Sequence, residues 1–270
     1  MRITSRENRQ IKEIAKLYKN GRSRKENGLF VVEGARICAD AAESGIEIVT
    51  LVCSDTGAAR YPDAVKALSD AAGRRISVPD AVFAALADTA HPQGILAVCR
   101  MPELSLRPED IRPDGRYLGL EDLRDPANLG TIARTAEALA LDGLILSPGC
   151  CDPYGSKALR AGMGSLLRIP LLQTEDFLAS LDAFRKAGLP VFAAVPDRSA
   201  ADVRQAGLHR GGVVLIGNEG NGLSPEAVAF SDRPVTIPMP GRAESLNAAA
   251  AASILMWEMT RSREGEVAFG

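Results

Sequence analysis

The sequence is poor in aromatic residues, histidine and long apolar runs, and each shortage excludes a class of protein. Aromatic residues make up only 4% of the 270, so Ala, Val, Leu and Ile must build most of the core. No apolar stretch approaches the roughly 20 residues that a membrane-spanning helix needs. The charged first residues contain no apolar segment of the kind found in secretory signals, so we expect a cytoplasmic protein. Hydrophobic residues at 46% and charged residues at 24% exclude a largely disordered chain.

The cysteines form no pattern that is typical of a metal site or a disulfide framework. They number five, without a C-x-x-C pair, and the only histidines are His91 and His209. A zinc site therefore lacks ligands at a suitable spacing, and we expect no metal. Reduced, mostly buried thiols are the expected state of the cysteines. A nucleophilic Cys–His pair stays open as an alternative, although no neighbouring residue supports it.

The formal net charge of −2 conceals a basic N-terminal segment. Residues 1–36 hold ten Lys and Arg against four Glu, a local balance of +6. Such a segment is either a solvated helix face or a surface that binds phosphate groups. The charge alone favours the solvated face.

Apolar runs and helical spacing predict a first α/β layer in residues 1–100. The predicted strands are 29–32, 46–53, 76–78 and 95–99. The predicted helices are 5–19, with Ser5 as its N-cap, 35–43, 63–72 and 81–86. Residues 101–115 then contain three prolines among charged residues without periodicity, which indicates a linker.

A second α/β series over residues 116–270 forms the other predicted domain. The predicted strands are 117–120, 144–146, 191–195, 213–216 and 235–237. The predicted helices are 131–141, 156–163, 176–187, 225–230 and 246–261. Because these short strands lack polar alternation, we expect a mostly parallel sheet that is covered on both faces.

Three loops of the second half follow predicted strands, where parallel α/β sheets bind ligands. They are residues 121–130, 217–224 and 238–247. The second loop has glycines at 217, 220 and 222, which permit close approach of the backbone to a ligand. This spacing is not the Rossmann fingerprint, and no G-x-x-x-x-G-K-[ST] phosphate loop occurs. A nucleotide-dependent oxidoreductase is therefore only a weak alternative.

Taken together, the three loops resemble the three ordered motifs of the SpoU family. The segments are N-L-G-T-I-A-R-T-A at 128–136, I-G-N-E-G-N-G-L-S at 216–224 and I-P-M-P-G-R-A-E-S-L-N-A-A-A-A-A-S-I-L at 237–255. Members of this family are S-adenosylmethionine-dependent RNA ribose 2′-O-methyltransferases. The resemblance extends from residue 117 to residue 261.

The first half is similar to the substrate-binding domain of the same family. The similar segments are S-R-E-N at 5–8, F-V-V-E-G at 30–34 and H-P-Q-G-I at 91–95. The resemblance thus implies a smaller N-terminal α/β domain that binds RNA. It also implies a C-terminal α/β domain in which residues 213–261 form a deep trefoil knot.

The resemblance further implies a cofactor site and a set of catalytic residues. S-adenosylmethionine would lie bent between the second and third loops, held mainly by backbone groups. The residues expected to hold it are Gly217, Asn218, Ile237, Met239 and Leu246. The residues expected to act in methyl transfer are Asn128, Arg134, Glu219, Ser245 and Asn247.

The family motif makes Arg134 the central catalytic residue. Since a guanidinium stays protonated, we expect Arg134 to grip the target phosphate and to stabilise negative charge on the 2′-oxygen. Ser245 or a phosphate oxygen would relay the proton. Glu219 would orient Asn128 or Arg134 through a charge-assisted hydrogen bond.

The resemblance also implies the partners. Large-subunit ribosomal RNA is the expected substrate, because family members that consist of the catalytic domain alone tend to act on transfer RNA. We expect a homodimer that uses the last helix of the C-terminal domain, and RNA contact by the basic N-terminal segment. Transfer RNA methylation and a non-catalytic role in RNA binding or assembly are the alternatives, and the intact set of site residues argues against the second.

Overall fold

The computed structural model describes residues 1–102 and 106–261. The chain divides into two compact units, of which the first comprises Met1–Glu103 with Asp152–Arg168 and the second Leu104–Cys151 with Ile169–Gly270. Residues 103–105 of the predicted linker and residues 262–270 of the predicted C-terminal domain lie outside the described residues. Within the described ranges, no helix has both the length and the apolar character that crossing a bilayer requires.

The helices and strands alternate along both units. The strands are β1 (Leu29–Glu33), β2 (Ile48–Ser54), β3 (Arg75–Val78), β4 (Ile95–Arg100), β5 (Arg116–Leu120), β6 (Gly143–Leu146), β7 (Leu171–Gln173), β8 (Val191–Ala194), β9 (Ala201–Asp202), β10 (Gly212–Ile216) and β11 (Arg233–Thr236). The helices are α1 (Arg9–Lys19), α2 (Gly21–Asn27), α3 (Ala35–Glu43), α4 (Asp55–Arg60), α5 (Pro62–Ala71), α6 (Asp80–Leu86), α7 (Pro126–Ala138), α8 (Ser156–Gly162), α9 (Phe177–Lys186), α10 (Pro225–Phe230) and α11 (Ala248–Thr260).

The first unit contains a four-stranded mixed sheet in the order β1-β4-β2-β3. Strand β4 runs antiparallel to both neighbours, and β2 runs parallel to β3. Helix α1 covers the sheet with the apolar stripe that predicted it, since Ile11, Ile14, Leu17 and Tyr18 are all buried in one core cluster. The α/β layer expected for this part of the chain is confirmed.

The predicted N-cap of α1 is wrong. The helix begins at Arg9, and Asn8 caps it by accepting a hydrogen bond from the N–H of Gln10 at 2.9 Å. Ser5 instead accepts from the N–H of Glu7 at 3.1 Å, in the turn before the helix. Both residue types favour the N-cap, and the apolar spacing that starts at Ile11 fits either start of the helix.

A buried ion pair ties residues 152–168 to the first unit. The Arg24 side chain, only 7% exposed, lies 2.7 Å from the Asp152 carboxylate. Arg24 also donates to the carbonyl oxygens of Leu17 at 2.7 Å and Tyr18 at 3.1 Å. The Arg24 guanidinium therefore provides hydrogen-bond donors for carbonyl groups in the last turn of α1 and also binds the segment that contains α8.

The second unit contains a seven-stranded sheet in the order β7-β6-β5-β10-β8-β11-β9. Each adjacent pair of its strands runs parallel, which confirms the expected parallel sheet. Strand β10 lies in the middle, and every one of its residues is buried. The carboxyl ends of β5, β10 and β11 consequently meet at one edge of the sheet, where the three loops begin.

Helix α7 begins five residues before its predicted start at 131. Asp125 caps it by accepting from the N–H of Ala127 at 2.9 Å, and Pro126 occupies the first turn. Asn128 therefore lies inside the helix and not in the loop before it. Helix α11 starts at Ala248, two residues after its predicted start, with Asn247 as its N-cap, and it packs against α7.

We expect Arg24→Ala to destabilise the protein by about 3–5 kcal/mol, because it leaves the Asp152 carboxylate without its partner in a partly buried site. Arg22→Ala on the same helix is the matched control. Arg22 pairs with Glu26 in an exposed i,i+4 ion pair, so its loss should cost less than about 0.5 kcal/mol. Chemical denaturation followed by circular dichroism measures both values, and equal effects of the two substitutions would contradict the anchoring role.

Candidate active site

The loop after β10 is a tight turn that requires glycine at two positions. Asn218 and Gly222 exchange backbone hydrogen bonds at 3.0 and 2.9 Å. A Cβ atom at Gly217 would lie 2.0 Å from the carbonyl carbon of Gly222, so the two backbone segments touch there. Gly222 has a φ of +70°, in the left-handed region that favours glycine. The glycine-rich segment therefore forms a closed turn at the end of the central strand.

The Asn218 side chain stabilises this turn by hydrogen bonds to its backbone. Its Oδ1 accepts from the N–H groups of Gly220 at 2.9 Å and Asn221 at 3.1 Å. Its Nδ2 donates to the carbonyl oxygen of Asp122 at 2.9 Å. Because the backbone engages both ends of the amide, Asn218 shapes the loop and links it to the loop after β5.

Two carboxylates fasten the loop after β5 to the loop after β10. Glu121 accepts from the N–H and the hydroxyl of Ser224 at 2.8 and 2.7 Å. Glu219 accepts from the backbone N–H groups of Arg124 at 3.1 Å and Asp125 at 2.9 Å. These N–H groups lie at the start of α7, where a helix favours negative charge. The two loops therefore form one hydrogen-bonded structure.

A directional chain of side-chain hydrogen bonds joins all three loops. Asn128 Nδ2 donates to Glu219 Oε1 at 3.1 Å, and Asn247 Nδ2 donates to Asn128 Oδ1 at 3.1 Å. Asn247 Oδ1 then accepts from the N–H groups of Ala249 and Ala250 at the start of α11. The expected contact between Glu219 and Asn128 is thus present, and Asn247 extends it.

Glu219 is ionised at the head of this chain. Burial raises its pKa, but the hydrogen bonds from Asn128 and from backbone N–H groups lower it, and the resulting pKa lies below that of an ordinary glutamate. An ionised carboxylate can only accept hydrogen bonds. Glu219 therefore fixes the amide of Asn128 with its nitrogen toward the carboxylate and its oxygen toward Asn247.

A cavity of about 420 Å³ lies between the second and third loops. Its walls include residues 194–196, 216–223 and 235–237, together with Ala248, Ala251 and Leu255 of α11. The predicted site residues that line the cavity are Gly217, Asn218, Glu219, Ile237, Met239, Ser245 and Leu246. The structure therefore brings all the predicted cofactor residues to one place.

Arg134 occupies a different position from the other predicted residues. It lies on the exposed side of α7 with Thr131 and Ala138, whereas Asn128 and Ile132 are buried. Six residues of helix separate Arg134 from Asn128, which turns their side chains roughly 120° apart. As far as the described residues define it, the cavity wall includes neither of them, nor Asn247.

Two residues that join the loops, Glu121 and Ser224, were not predicted from the sequence. Glu121 directly follows the buried strand β5, and Ser224 caps α10 before Pro225. An acid at the carboxyl end of a parallel strand and a serine before a helix-starting proline are both recognisable signals. Local sequence patterns do not show that these two residues form hydrogen bonds with each other at the edge of the sheet.

The thiols do not support a cysteine nucleophile. Cys38, Cys53 and Cys99 are buried, and Cys150 and Cys151 are half-buried. Burial raises the pKa of every one of them, for Cys151 to about 12, so the protonated thiol predominates at neutral pH. In residues 1–102 and 106–261, no group of three or more His, Cys, Asp or Glu is arranged to hold a metal ion.

Two family profiles match the chain. The profile of the SpoU rRNA Methylase family matches residues 115–257, which contain all three loops. The profile of the MRM3-like substrate binding domain matches residues 8–97, which contain the strands of the first sheet up to Ala97.

Two relatives align over nearly their full length. The 23S rRNA (guanosine(2553)-2′-O)-methyltransferase RlmP of Bacillus subtilis is 30% identical over 95% of this chain and 98% of its own. The 23S rRNA (uridine(2479)-2′-O)-methyltransferase of Streptomyces viridochromogenes is 32% identical over 97% of this chain and 92% of its own.

Solved structures agree with these relatives. The AdoMet-bound rRNA methyltransferase from Sinorhizobium meliloti superposes with a TM-score of 0.83 and 32% identity, over 96% of this chain and 97% of that chain. The SpoU methyltransferase AviRb from Streptomyces viridochromogenes, in complex with AdoMet, superposes with a TM-score of 0.83 and 29% identity, over 94% and 97%. By profile, motif order and fold, the chain belongs to the SpoU rRNA methylase family.

Proposed function

We propose that the protein acts in the cytoplasm and transfers a methyl group from S-adenosylmethionine to a ribose 2′-hydroxyl of large-subunit ribosomal RNA. One observation carries this proposal, namely the cavity between the second and third loops with the Glu219–Asn128–Asn247 chain beside it. The two relatives named as 23S rRNA 2′-O-methyltransferases align over both units, which supports the ribosomal substrate. The substrate-binding-domain match supports RNA recognition by the first unit.

The cavity fits S-adenosylmethionine in size and in lining. Its volume of about 420 Å³ lies within the range of about 300–1,000 Å³ that is common for ligand pockets. Apolar side chains such as Ile237, Leu246 and Leu255 suit an adenine ring, and the closed turn at Gly217 brings backbone groups to the cavity wall. We infer that backbone groups of Gly217, Ile237 and Leu246 hold the cofactor, with Met239 and Asn218 in the wall. When bound, S-adenosylmethionine supplies a methyl carbon that its sulfonium makes electrophilic.

The residues of the chain position and activate the ribose hydroxyl. Arg134 grips the target phosphate and stabilises negative charge on the 2′-oxygen, because its protonated guanidinium can donate to two oxygens at once. Its place on the exposed side of α7 leaves it accessible to RNA. The hydroxyl proton passes to a phosphate oxygen, either directly or through the Ser245 hydroxyl, which gives up its own proton as it receives the new one. Glu219 keeps Asn128 and Asn247 in a single orientation beside the cavity.

We further propose a homodimer through the second unit and a trefoil knot over about residues 213–261. Ile254 and Trp257 lie one turn apart on α11 and are 39% and 59% exposed, which gives that helix an apolar face for a second copy. The last helix packs against α7 after β10 has entered the middle of the sheet, an arrangement compatible with a threaded chain.

The decisive experiment maps ribose methylation across ribosomal and transfer RNA in cells with and without the gene. We expect one 2′-O-methyl group of 23S rRNA to disappear, and to return with wild-type protein and not with Asn128→Ala. The substitution removes the central residue of the hydrogen-bonded series Glu219–Asn128–Asn247. We expect a large loss of activity, because a displacement of about 1 Å in an active site can lower the rate about 10²-fold.

Glu226→Gln, on the exposed start of α10, is the matched control and should restore methylation fully. If the methyl group that disappears lies in transfer RNA instead, transfer RNA is the substrate and the ribosomal proposal is wrong. Unchanged methylation of all RNA, with the protein still bound to ribosomal particles, would favour the non-catalytic alternative.

Arg134→Lys should lower methyl transfer by about 10- to 100-fold, because a lysine keeps the charge but loses the second hydrogen bond to phosphate. Steady-state transfer of radiolabelled methyl groups to RNA measures the effect. Arg210→Lys, an exposed arginine of the second unit, is the control. Near-wild-type transfer by Arg134→Lys would disprove the two-oxygen grip.

Trp257→Ser should weaken the dimer, because it removes the largest exposed apolar side chain of α11. Sedimentation equilibrium over a range of protein concentrations measures the dissociation constant. A wild-type protein that remains monomeric at all concentrations would refute the proposed dimer.

A further inference from the structure

A second cavity lies in the first unit, away from every residue assigned above. Its volume is about 310 Å³, and residues from one strand, two helices and one loop line it. They are Glu33 and Gly34 at the end of β1, Arg36, Ile37 and Asp40 of α3, Thr89, His91 and Gln93 of the loop before β4, and Leu159, Arg160 and Met163 of the segment with α8. Two of the three N-terminal family segments, F-V-V-E-G and H-P-Q-G-I, contribute residues to this cavity.

The apolar part of the lining contains an exposed methionine in an unfavourable backbone conformation. Met163 ends α8 with a φ of +47°, a region that residues with a Cβ rarely adopt, and its side chain is 47% exposed. Ile37 and the buried Leu159 line the cavity with it. Met163, Ile37 and Leu159 thus form an apolar wall of the cavity that is partly exposed to solvent.

The polar part of the lining contains two carboxylates, Glu33 and Asp40, and the hydrogen-bond donors Gln93 and Arg36. Glu33 is engaged by the hydroxyl of Tyr18 at 2.7 Å, by the N–H of Asp88 at 3.1 Å and by the Thr89 hydroxyl. Gln93 uses its Oε1 to accept from the N–H of Ala35 at 2.8 Å, which leaves its Nε2 as a donor. The Glu33 carboxylate is therefore already satisfied by the protein, and the Asp40 carboxylate lies 4.0 Å from Arg168.

Unpaired cations occur at the cavity as well as on the N-terminal helices. Some exposed basic residues of the N-terminal segment are paired with nearby acids, as in Arg9–Glu13, Arg22–Glu26 and Lys12–Glu7. In the cavity, Arg160 pairs with Asp88 at 3.0 Å. Within the described part of the chain, no hydrogen bond or ion pair engages the side chain of Arg36 or His91. Arg36 therefore brings an unpaired positive charge to the cavity.

We propose that this cavity binds one unpaired nucleotide of the RNA substrate. The base packs against Met163, Ile37 and Leu159, and its phosphate meets Arg36. Sequence-specific RNA recognition commonly uses unpaired, unstacked bases, and the volume of this cavity suits one nucleotide and excludes a helix. The inference rests on the proposed function, in that it takes the substrate to be RNA.

The test measures binding of fluorescein-labelled 12-mers of oligo(U) and oligo(A) by the full-length protein, using anisotropy at fixed salt. We expect Arg36→Gln and Met163→Gly each to weaken binding of at least one oligonucleotide by about 5- to 100-fold, because the first loses a charged contact with phosphate and the second an apolar contact with the base. Lys66→Gln on α5 removes the same charge from an exposed residue outside the cavity, and should change binding by less than about twofold. The proposal would be overturned by any of three results. These are equal losses in all three variants, unchanged binding in Arg36→Gln and Met163→Gly, and no binding by the wild type.

Met163→Gly separates binding from folding. Glycine accepts a positive φ without strain, so this substitution should keep or raise the melting temperature while it weakens RNA binding. A lowered melting temperature with unchanged RNA binding would assign Met163 to packing alone and overturn its role.

Photo-crosslinking of 5-iodouridine RNA to the intact protein supplies an independent readout. We expect crosslinked peptides that contain His91 or Met163, and crosslinks confined to other peptides would overturn the proposal. Because neither readout needs methyl transfer, crosslinks at the cavity in a protein without transferase activity would refute the proposed function and not this site. Active transferase whose cavity variants bind like the wild type would refute this site alone.

Discussion

The carboxylate of Glu219 is the interaction on which the site in the second unit depends. It accepts from two backbone N–H groups before α7 and from the amide of Asn128, and that amide accepts from Asn247 at the start of α11. An asparagine amide can turn over and exchange its donor for its acceptor, but a carboxylate has no donor to exchange. One ionised group therefore sets the direction of every hydrogen bond down to the first N–H groups of α11.

The parallel sheet explains why these groups meet at all. Residues 121–128, 217–224 and 237–247 are far apart in sequence, yet each stretch begins at the carboxyl end of β5, β10 or β11. With β10 in the middle of the sheet, its loop can reach the loops of strands on either side. The close contact of Gly217 with Gly222 keeps the loop after β10 compact. The loop therefore forms a wall of the cavity and does not fill it.

Local patterns located the strands well and the long-range contacts poorly. Strands 117–120 and 213–216 were predicted to within one residue, because continuous apolar runs in a buried parallel sheet have no competing interpretation. The start of α7 was missed because Asp125 and Pro126 resemble a loop, although they are also a helix-starting pair. Helices α2 and α4 and the short strands β7 and β9 were missed as well, since each has few or no apolar residues in a repeating pattern. The bond between Glu121 and Ser224 joins residues 103 positions apart, and no local spacing encodes it.

The number of basic residues in a segment does not predict what each of them does. Their ion-pair partners and their burial determine that, and both depend on the fold. The ten basic residues of the N-terminal segment fit either a solvated helix face or a phosphate-binding face, and the charge alone favours the first. Several of them are paired with nearby acids. Arg24, one of the ten, is buried and serves the fold. Arg36, also one of the ten, lines a cavity built from segments that are distant in sequence. Three arginines of one basic stretch thus have three physical roles, and only burial and partners distinguish them. An exposed i,i+4 pair such as Arg22–Glu26 changes stability little, so the paired surface cations contribute far less to the fold than the buried Arg24 does.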